Sequence, residues 1–164
     1  MRLLLLILLA PVIPAAFAQS GQARFTMGAT VFADDGPVTQ FTFGGGVRFY
    51  FSRRWSVEPE ILRMGSKSDF VNDNSTILWG NVAFDFRQRD RQVVPYWYAG
   101  PGIVRHTSSY GDFSFSNTEA AFGTGAGVRF LLSERVFVAP QVRIGIADGI
   151  FTEVTASIGY VFGK

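Results

Sequence analysis

The sequence predicts an all-β protein, an eight-stranded antiparallel up-and-down transmembrane β-barrel. Three observations carry this. Eight segments alternate apolar with small or polar residues at a period of two, the pattern of strands whose successive side chains point to opposite faces. One parity is crowded with Gly and Thr and holds charges of both signs, while the other is rich in Phe. The composition has 17 Phe and 18 Gly, with lysine only at Lys67 and Lys164, which is not how a chain covers itself for water.

Residues 1–18, MRLLLLILLAPVIPAAFA, place one Arg before a short leucine-rich run and end in Ala16-Phe17-Ala18. This is the pattern of a cleavable secretory signal peptide, and the run is too short for a spanning helix. The barrel domain is therefore expected over residues 19–164. There is no cysteine, which excludes disulfides and thiolate metal sites. A formal net charge of +2 gives no electrostatic footprint for nucleic acid.

The first strand is expected over residues 23–32, with Phe25, Met27, Ala29 and Val31 opposite Arg24, Thr26, Gly28 and Thr30. Asp34-Asp35-Gly36-Pro37 breaks it. The second, 38–51, sets Phe41, Phe43, Val47, Phe49 and Phe51 against Gln40, Thr42, Gly44, Gly46, Arg48 and Tyr50. After a turn at Ser52-Arg53-Arg54, the third, 55–65, opposes Trp55, Val57, Pro59 and Ile61 to Ser56, Glu58 and Glu60. Pro59 lacks a ladder donor, so a bulge or shortened pairing is expected there. A polar loop, 66–74, leads to the fourth strand, 75–87, with Leu78, Val82, Phe84 and Phe86 against Asn81 and Asp85.

The fifth strand, 93–105, is apolar on both parities; Trp97, Ala99, Pro101 and Ile103 are assigned to one face and Tyr96, Tyr98, Gly100 and Gly102 to the other. The longest loop, 106–117, has a Ser–aromatic alternation that would also suit a hairpin continued above the membrane with an exposed edge, but it is read as an ordinary loop. It separates the fifth strand from the sixth, 118–132, where Ala120, Phe122, Ala126, Val128 and Phe130 oppose Glu119, Gly123, Gly125, Gly127 and Arg129. The seventh, 136–147, sets Val138, Val142, Ile144 and Ile146 against Gln141, Arg143 and Gly145. The eighth, 151–162, alternates Val154, Ile158, Tyr160 and Phe162 with Glu153, Thr155 and Ser157, and closes on the first.

The strand number is even, and most segments approach the 9–11 residues a tilted membrane strand requires. Connections after strands two, four and six are short and Arg-rich, and those after three and five longer and polar, which places the short turns on the periplasmic side. Arg24, Arg48, Glu58, Glu60, Asp85, Glu119, Arg129, Arg143 and Glu153 then face a lumen just wide enough to be filled by side chains, where buried charges must pair. Phe49, Phe51, Trp55, Phe84, Phe86, Trp97, Phe130, Tyr160 and Phe162 form an aromatic girdle at the periplasmic interface. The soluble alternative, a lipocalin-like barrel, would turn these Phe inward and cover the exterior with glycine.

The runs GAGVRFLLSERVFVAPQVRI at 125–144, PYWYAGPG at 95–102 and the terminal ASIGYVF resemble the outer-membrane β-barrel superfamily, including OmpA-type transmembrane domains and small OmpX-like and OmpW-like barrels. The resemblance implies bacterial outer-membrane localisation, contact with outer-membrane lipid and lipopolysaccharide, and insertion by the outer-membrane assembly machinery through the last strand. The leading reading is a non-enzymatic, monomeric barrel with a side-chain-filled lumen that takes no cofactor or metal and contributes to envelope integrity or surface interaction through its extracellular loops. A small channel for apolar compounds is the alternative, suggested by OmpW-like relatives.

A third reading is a lipid A-modifying deacylase, from His106, Ser108 and Glu119, since a His base beside a Ser nucleophile is workable chemistry. The family's His-x-Ser-Asn belongs on the seventh strand, where this chain reads Arg143-Ile144-Gly145, and the spacing at His106 is taken as coincidence. Glu58 and Glu60 share a face and invite a carboxylate-pair reading, but facing arginines explain them more simply. Gly44-Gly45-Gly46 and 123–127 lie inside strands with no helix after them, so they are not phosphate loops.

Overall fold

The computed structural model describes residues 20–32, 38–67, 72–88, 91–110 and 113–163. The segment read as a signal peptide lies outside the described residues. Eight strands, β1 (Gly21–Phe32), β2 (Val38–Tyr50), β3 (Trp55–Lys67), β4 (Asn72–Asp85), β5 (Val93–Tyr110), β6 (Phe113–Leu131), β7 (Val136–Ile146) and β8 (Ile150–Phe162), form a closed antiparallel barrel in sequence order. β8 pairs with β1 from Gly21↔Phe162 to Phe32↔Phe151, so the sheet has no edge in the membrane. No helix among the described residues is long and apolar enough to cross a membrane.

The register fixes the size of the barrel. Successive partners run Gly21, Phe49, Val57, Val82, Ala99, Thr124, Ile144 and Thr152, and Thr152 pairs with Val31, ten residues beyond the start. With ordinary strand rise and spacing, a stagger of ten residues over eight strands tilts the strands by about 40°. Each residue then climbs about 2.5 Å along the axis, so some ten residues cross an apolar band about 25 Å tall.

The apolar parity faces out and the charged parity faces in. Phe41, Ile61, Leu78, Ile103, Phe122, Ile144 and Val154 are all more than half exposed on the outer wall, while Arg48, Glu58, Glu60, Asp85, Arg129 and Arg143 are 3% exposed or less. Burying charges while baring Phe and Ile is stable only where lipid surrounds the wall, which excludes the lipocalin-like arrangement. On β5, Tyr96, Tyr98, Gly100 and Gly102 point inward and Trp97 and Ile103 outward.

Two differences from the sequence expectation, and one expectation that the structure narrows, have physical reasons. First, β5 and β6 continue through most of the expected loop 106–117, and β3 and β4 absorb part of the loop 66–74. The mostly polar residues there continue the antiparallel ladder above the membrane, where period-two contrast is confined to Ser alternating with Phe113 and Phe115. Second, of the two outcomes expected at Pro59 the structure shows the shortened pairing and no bulge. The β2–β3 register is constant, but pairing skips two rungs between Gly46↔Glu60 and Phe49↔Val57. The same two-rung gap occurs beside Pro101 in β4–β5 and beside Pro140 in β6–β7, as expected where a residue has no N–H to donate. Third, the lumen is not polar throughout. Leu62, Met64, Ile77, Trp79, Val104, Ala121 and Phe151 form a buried apolar cluster inside its outer end.

Lumenal glycines make room for the large rings. Trp79 pairs with Gly102, Tyr96 with Gly127, Tyr98 with Gly125, Phe137 with Gly159 and Phe151 with Gly145. A Cβ on Gly125 would stand 2.5 Å from the Tyr98 ring, and one on Gly102 2.5 Å from the Trp79 ring. Each ring covers its partner's bare backbone, the cross-strand pairing that offsets the cost of glycine in a strand. Gly125→Val is expected to destabilise the barrel by about 1–3 kcal/mol. The check is the urea midpoint in vesicles, where Tyr98→Ala in the same chain should recover part of the loss.

Candidate functional site

The lumen is where the buried polar chemistry lies. Arg24 and Gln22 come from β1, Arg48 and Tyr50 from β2, Glu58 and Glu60 from β3, Asn81 and Asp85 from β4, Tyr96 and Tyr98 from β5, Arg129 from β6, Gln141 and Arg143 from β7, and Glu153 from β8. Each sits on the inward parity of its strand, which is why alternation alone directs it there.

Glu60 is the junction of this network. It accepts from Arg24 Nη2 at 2.7 Å and from Arg143 Nη2 at 2.5 Å. Arg24 also meets Glu58 at 2.5 Å and donates to Gln141 Oε1 at 2.9 Å. Glu58 is ion-paired with Arg48, whose Nη1 lies 3.4 Å from Asp85. Asp85 receives Arg129 Nη2 and the Tyr50 hydroxyl, both at 2.9 Å, and Arg129 Nη1 donates to Tyr50 at 2.7 Å and to Gln22 at 2.9 Å. Arg143 reaches Glu153 at 3.5 Å. Four guanidiniums thus face four carboxylates. Aromatic faces complete the packing: Arg48 lies 4.5 Å from the Tyr96 ring centroid, and Arg143 lies 4.6 Å from that of Trp79 and 4.9 Å from that of Tyr98. Arg143 therefore joins the charged lattice to the apolar cluster above it.

Eight of the nine expected lumenal residues meet in this lattice, and Glu119 does not. It sits beyond the lattice on the outer part of β6, where Asn117 donates to it, and no described arginine pairs with it. Its inward parity is as expected, but the barrel's stagger carries it about 10 Å above Glu153, out of guanidinium reach. The nine girdle aromatics all face outward, and the register sets them within about 10 Å of one another along the axis at the end bearing the short turns.

His106 is engaged by a neighbour that sequence spacing did not suggest. Its Nδ1 is 2.8 Å from the Ser75 hydroxyl, its cross-strand partner on β4. The Ser108 side chain lies outside the described residues. Glu58 and Glu60 are each ion-paired with two arginines, which accounts for them without a catalytic carboxylate pair. No group of His, Cys, Asp and Glu among the described residues could hold a metal ion.

Comparison with known proteins identifies the scaffold. The family model described as "Outer membrane protein beta-barrel domain" matches residues 3–162. The chain belongs to that family. It is an integral β-barrel of the bacterial outer membrane. Solved barrels share its fold: Neisserial surface protein A (NspA) at TM-score 0.70 and 15% identity, over 86% of this chain and 95% of that one. Ail, the attachment invasion locus protein of Yersinia pestis, superposes at 0.66 with 17% identity, over 87% and 98%. OprG from Pseudomonas aeruginosa superposes at 0.61 with 12% identity, over 88% and 97%. At such identities the likeness is one of fold. No curated protein matches the sequence.

Because Glu60 neutralises two guanidiniums at once, Glu60→Ala leaves both Arg24 and Arg143 buried without it. A loss of about 3–5 kcal/mol is expected, the usual cost of removing one partner from a buried pair. The readout is the denaturant midpoint of the refolded barrel. Exposed Arg53→Ala at the β2–β3 turn should move it by under about 0.5 kcal/mol.

Proposed function

We propose that the protein is a non-enzymatic, side-chain-filled barrel that serves the envelope through a raised surface hairpin. The observation that carries this is the length of β5 and β6, 18 and 19 residues, against 11 and 13 for β7 and β8. Pairing of β6 with β7 begins only at Phe122↔Ile146, so β6 from residue 113 to 121 has no strand on that side, and its outer part runs above the membrane. Backbone donors and acceptors in an open edge of this kind recruit an extended segment of another protein by strand addition.

The lattice beneath supports a structural rather than a conducting lumen. Eight strands with ten residues of stagger leave room for side chains alone, and the ion pairs and rings fill that room. A small transporter for apolar compounds is the second reading, and the apolar cluster at the outer end of the lumen is the feature that favours it. Below that cluster the route is closed by Arg143, Glu60 and Arg24. On this proposal residues 1–18 are removed on export, β8 with Tyr160 and Phe162 presents the assembly machinery with its insertion signal, and the barrel works as a monomer in lipopolysaccharide and phospholipid.

Two measurements test the reading. Purified protein in planar bilayers should show no open-channel steps; reproducible steps would transfer support to the transporter. Trimming residues 108–115 to a two-residue turn should preserve the heat-dependent gel shift of a folded barrel while abolishing adherence conferred on cells expressing it. Adherence that survives the trimming would remove the hairpin from the proposal.

A further inference from the structure

The lipid-facing wall is apolar almost everywhere. Among the residues whose side chains are described, two charged ones lie on the outward parity of the strands, Arg63 on β3 and Arg105 on β5, and both are exposed. They share one rung: Arg63 pairs with Thr76, and Thr76 pairs with Arg105. The next outward-facing rung towards the membrane is Ile61, Leu78 and Ile103, each 53–54% exposed. The wall therefore changes from aliphatic to basic in a single step. By the register this step lies about 25 Å along the axis from the Gly21 level, the height of the apolar band, at the end that carries the long hairpin.

Position alone would be met by any snorkelling polar residue. Three further observations single the pair out. Elsewhere the same level of the wall is apolar, with Val31, Phe41 and Ile146 exposed there, so the basic step is confined to the β3–β5 face. Neither guanidinium has a carboxylate partner among the described residues, whereas all four arginines inside the lumen do. With one strand between them, their Cα atoms stand about 10 Å apart, within which two arginine side chains can close on one phosphate or hold two. Guanidinium presents paired donors that match phosphate oxygens, and the Thr76 hydroxyl between them adds a further donor.

We propose that Arg63, Thr76 and Arg105 form a phosphate-binding face for the bisphosphorylated glycolipid of the outer leaflet. The disaccharide phosphates lie on the rung and the acyl chains run down over Ile61, Leu78 and Ile103. This rests on the same orientation as the proposed function, with the long hairpin outside, but needs nothing from the hairpin edge. The two therefore fail separately: R63Q/R105Q leaves adherence intact, and the trimmed hairpin leaves lipid binding intact.

The test is native mass spectrometry of the full folded chain released from detergent, titrated with bisphosphoryl lipid A, with enzymatically dephosphorylated lipid A and with phosphatidylglycerol. The native chain should retain bisphosphoryl lipid A at least tenfold more tightly than the other two. R63Q/R105Q should lose that preference while keeping its gel shift, since the wall residues exchange no packing with the lumen. R63K/R105K, which keeps charge and reach but not the paired donors, should fall between them. Equal retention of the two lipid A forms by the native chain, or an undiminished preference in R63Q/R105Q, overturns the site. Retention of phosphatidylglycerol as tight as that of lipid A overturns the choice of glycolipid.

Discussion

Lipid offers no hydrogen bond to a bare sheet edge, so within the membrane every strand of this chain must find both neighbours in the chain itself. Closure of β8 on β1 meets that demand, and the ten-residue stagger it requires determines nearly everything inside. A lumen of eight strands at this tilt is too narrow to hold water across its width and too wide to be left empty. It has to be filled from the inward parity, which supplies one residue in two from each strand.

The chain fills it in two ways. Around Glu60 and Asp85 it uses charges, four cations against four anions, with Gln141 and Gln22 accepting from Arg24 and Arg129 and Tyr50 donating to Asp85. Around Trp79 and Phe151 it uses apolar bulk. Arg143 belongs to both, with its Nη2 on Glu60 and its plane beside Trp79. A buried ion lattice is weak evidence of stability, because desolvation consumes much of the attraction. Its firmer consequence is specificity. A strand that slipped by one residue would turn Arg or Glu towards lipid, so the lattice admits a single register.

Period-two alternation exposed the strands, their faces and eight of the nine lumenal charges, because each of those facts depends on parity alone. What parity does not contain is height. Glu119 has the correct face but lies above the lattice, and that follows from the stagger, which no single strand reveals. The ends of β5 and β6 were hidden for a different reason. Above the membrane both faces are wet, so the alternation of Ser with Phe113 and Phe115 hints at a continued hairpin but is too short and polar to outweigh a loop. The pairing of each large lumenal ring with a glycine was present in the sequence as glycine abundance, but assigning Gly125 to Tyr98 or Gly145 to Phe151 required the inter-strand register. The Ser75–His106 hydrogen bond is likewise a cross-strand contact, invisible to motifs read along the chain.

The three proline gaps fall at β2–β3, β4–β5 and β6–β7, that is, at alternate seams. Within β1–β2, β3–β4, β5–β6 and β7–β8 the ladder is unbroken. The barrel is thus four complete hairpins, each joined by an outer connection, with an interrupted ladder at three of the seams between them and a continuous one at the closing β8–β1 seam. At the first of these seams Arg48 and Glu58 stand in the unpaired stretch and are joined through their side chains, a fastening made only when both hairpins are in place. The ion lattice thus acts as the latch that registers one hairpin against its neighbour where the backbone ladder between them is interrupted.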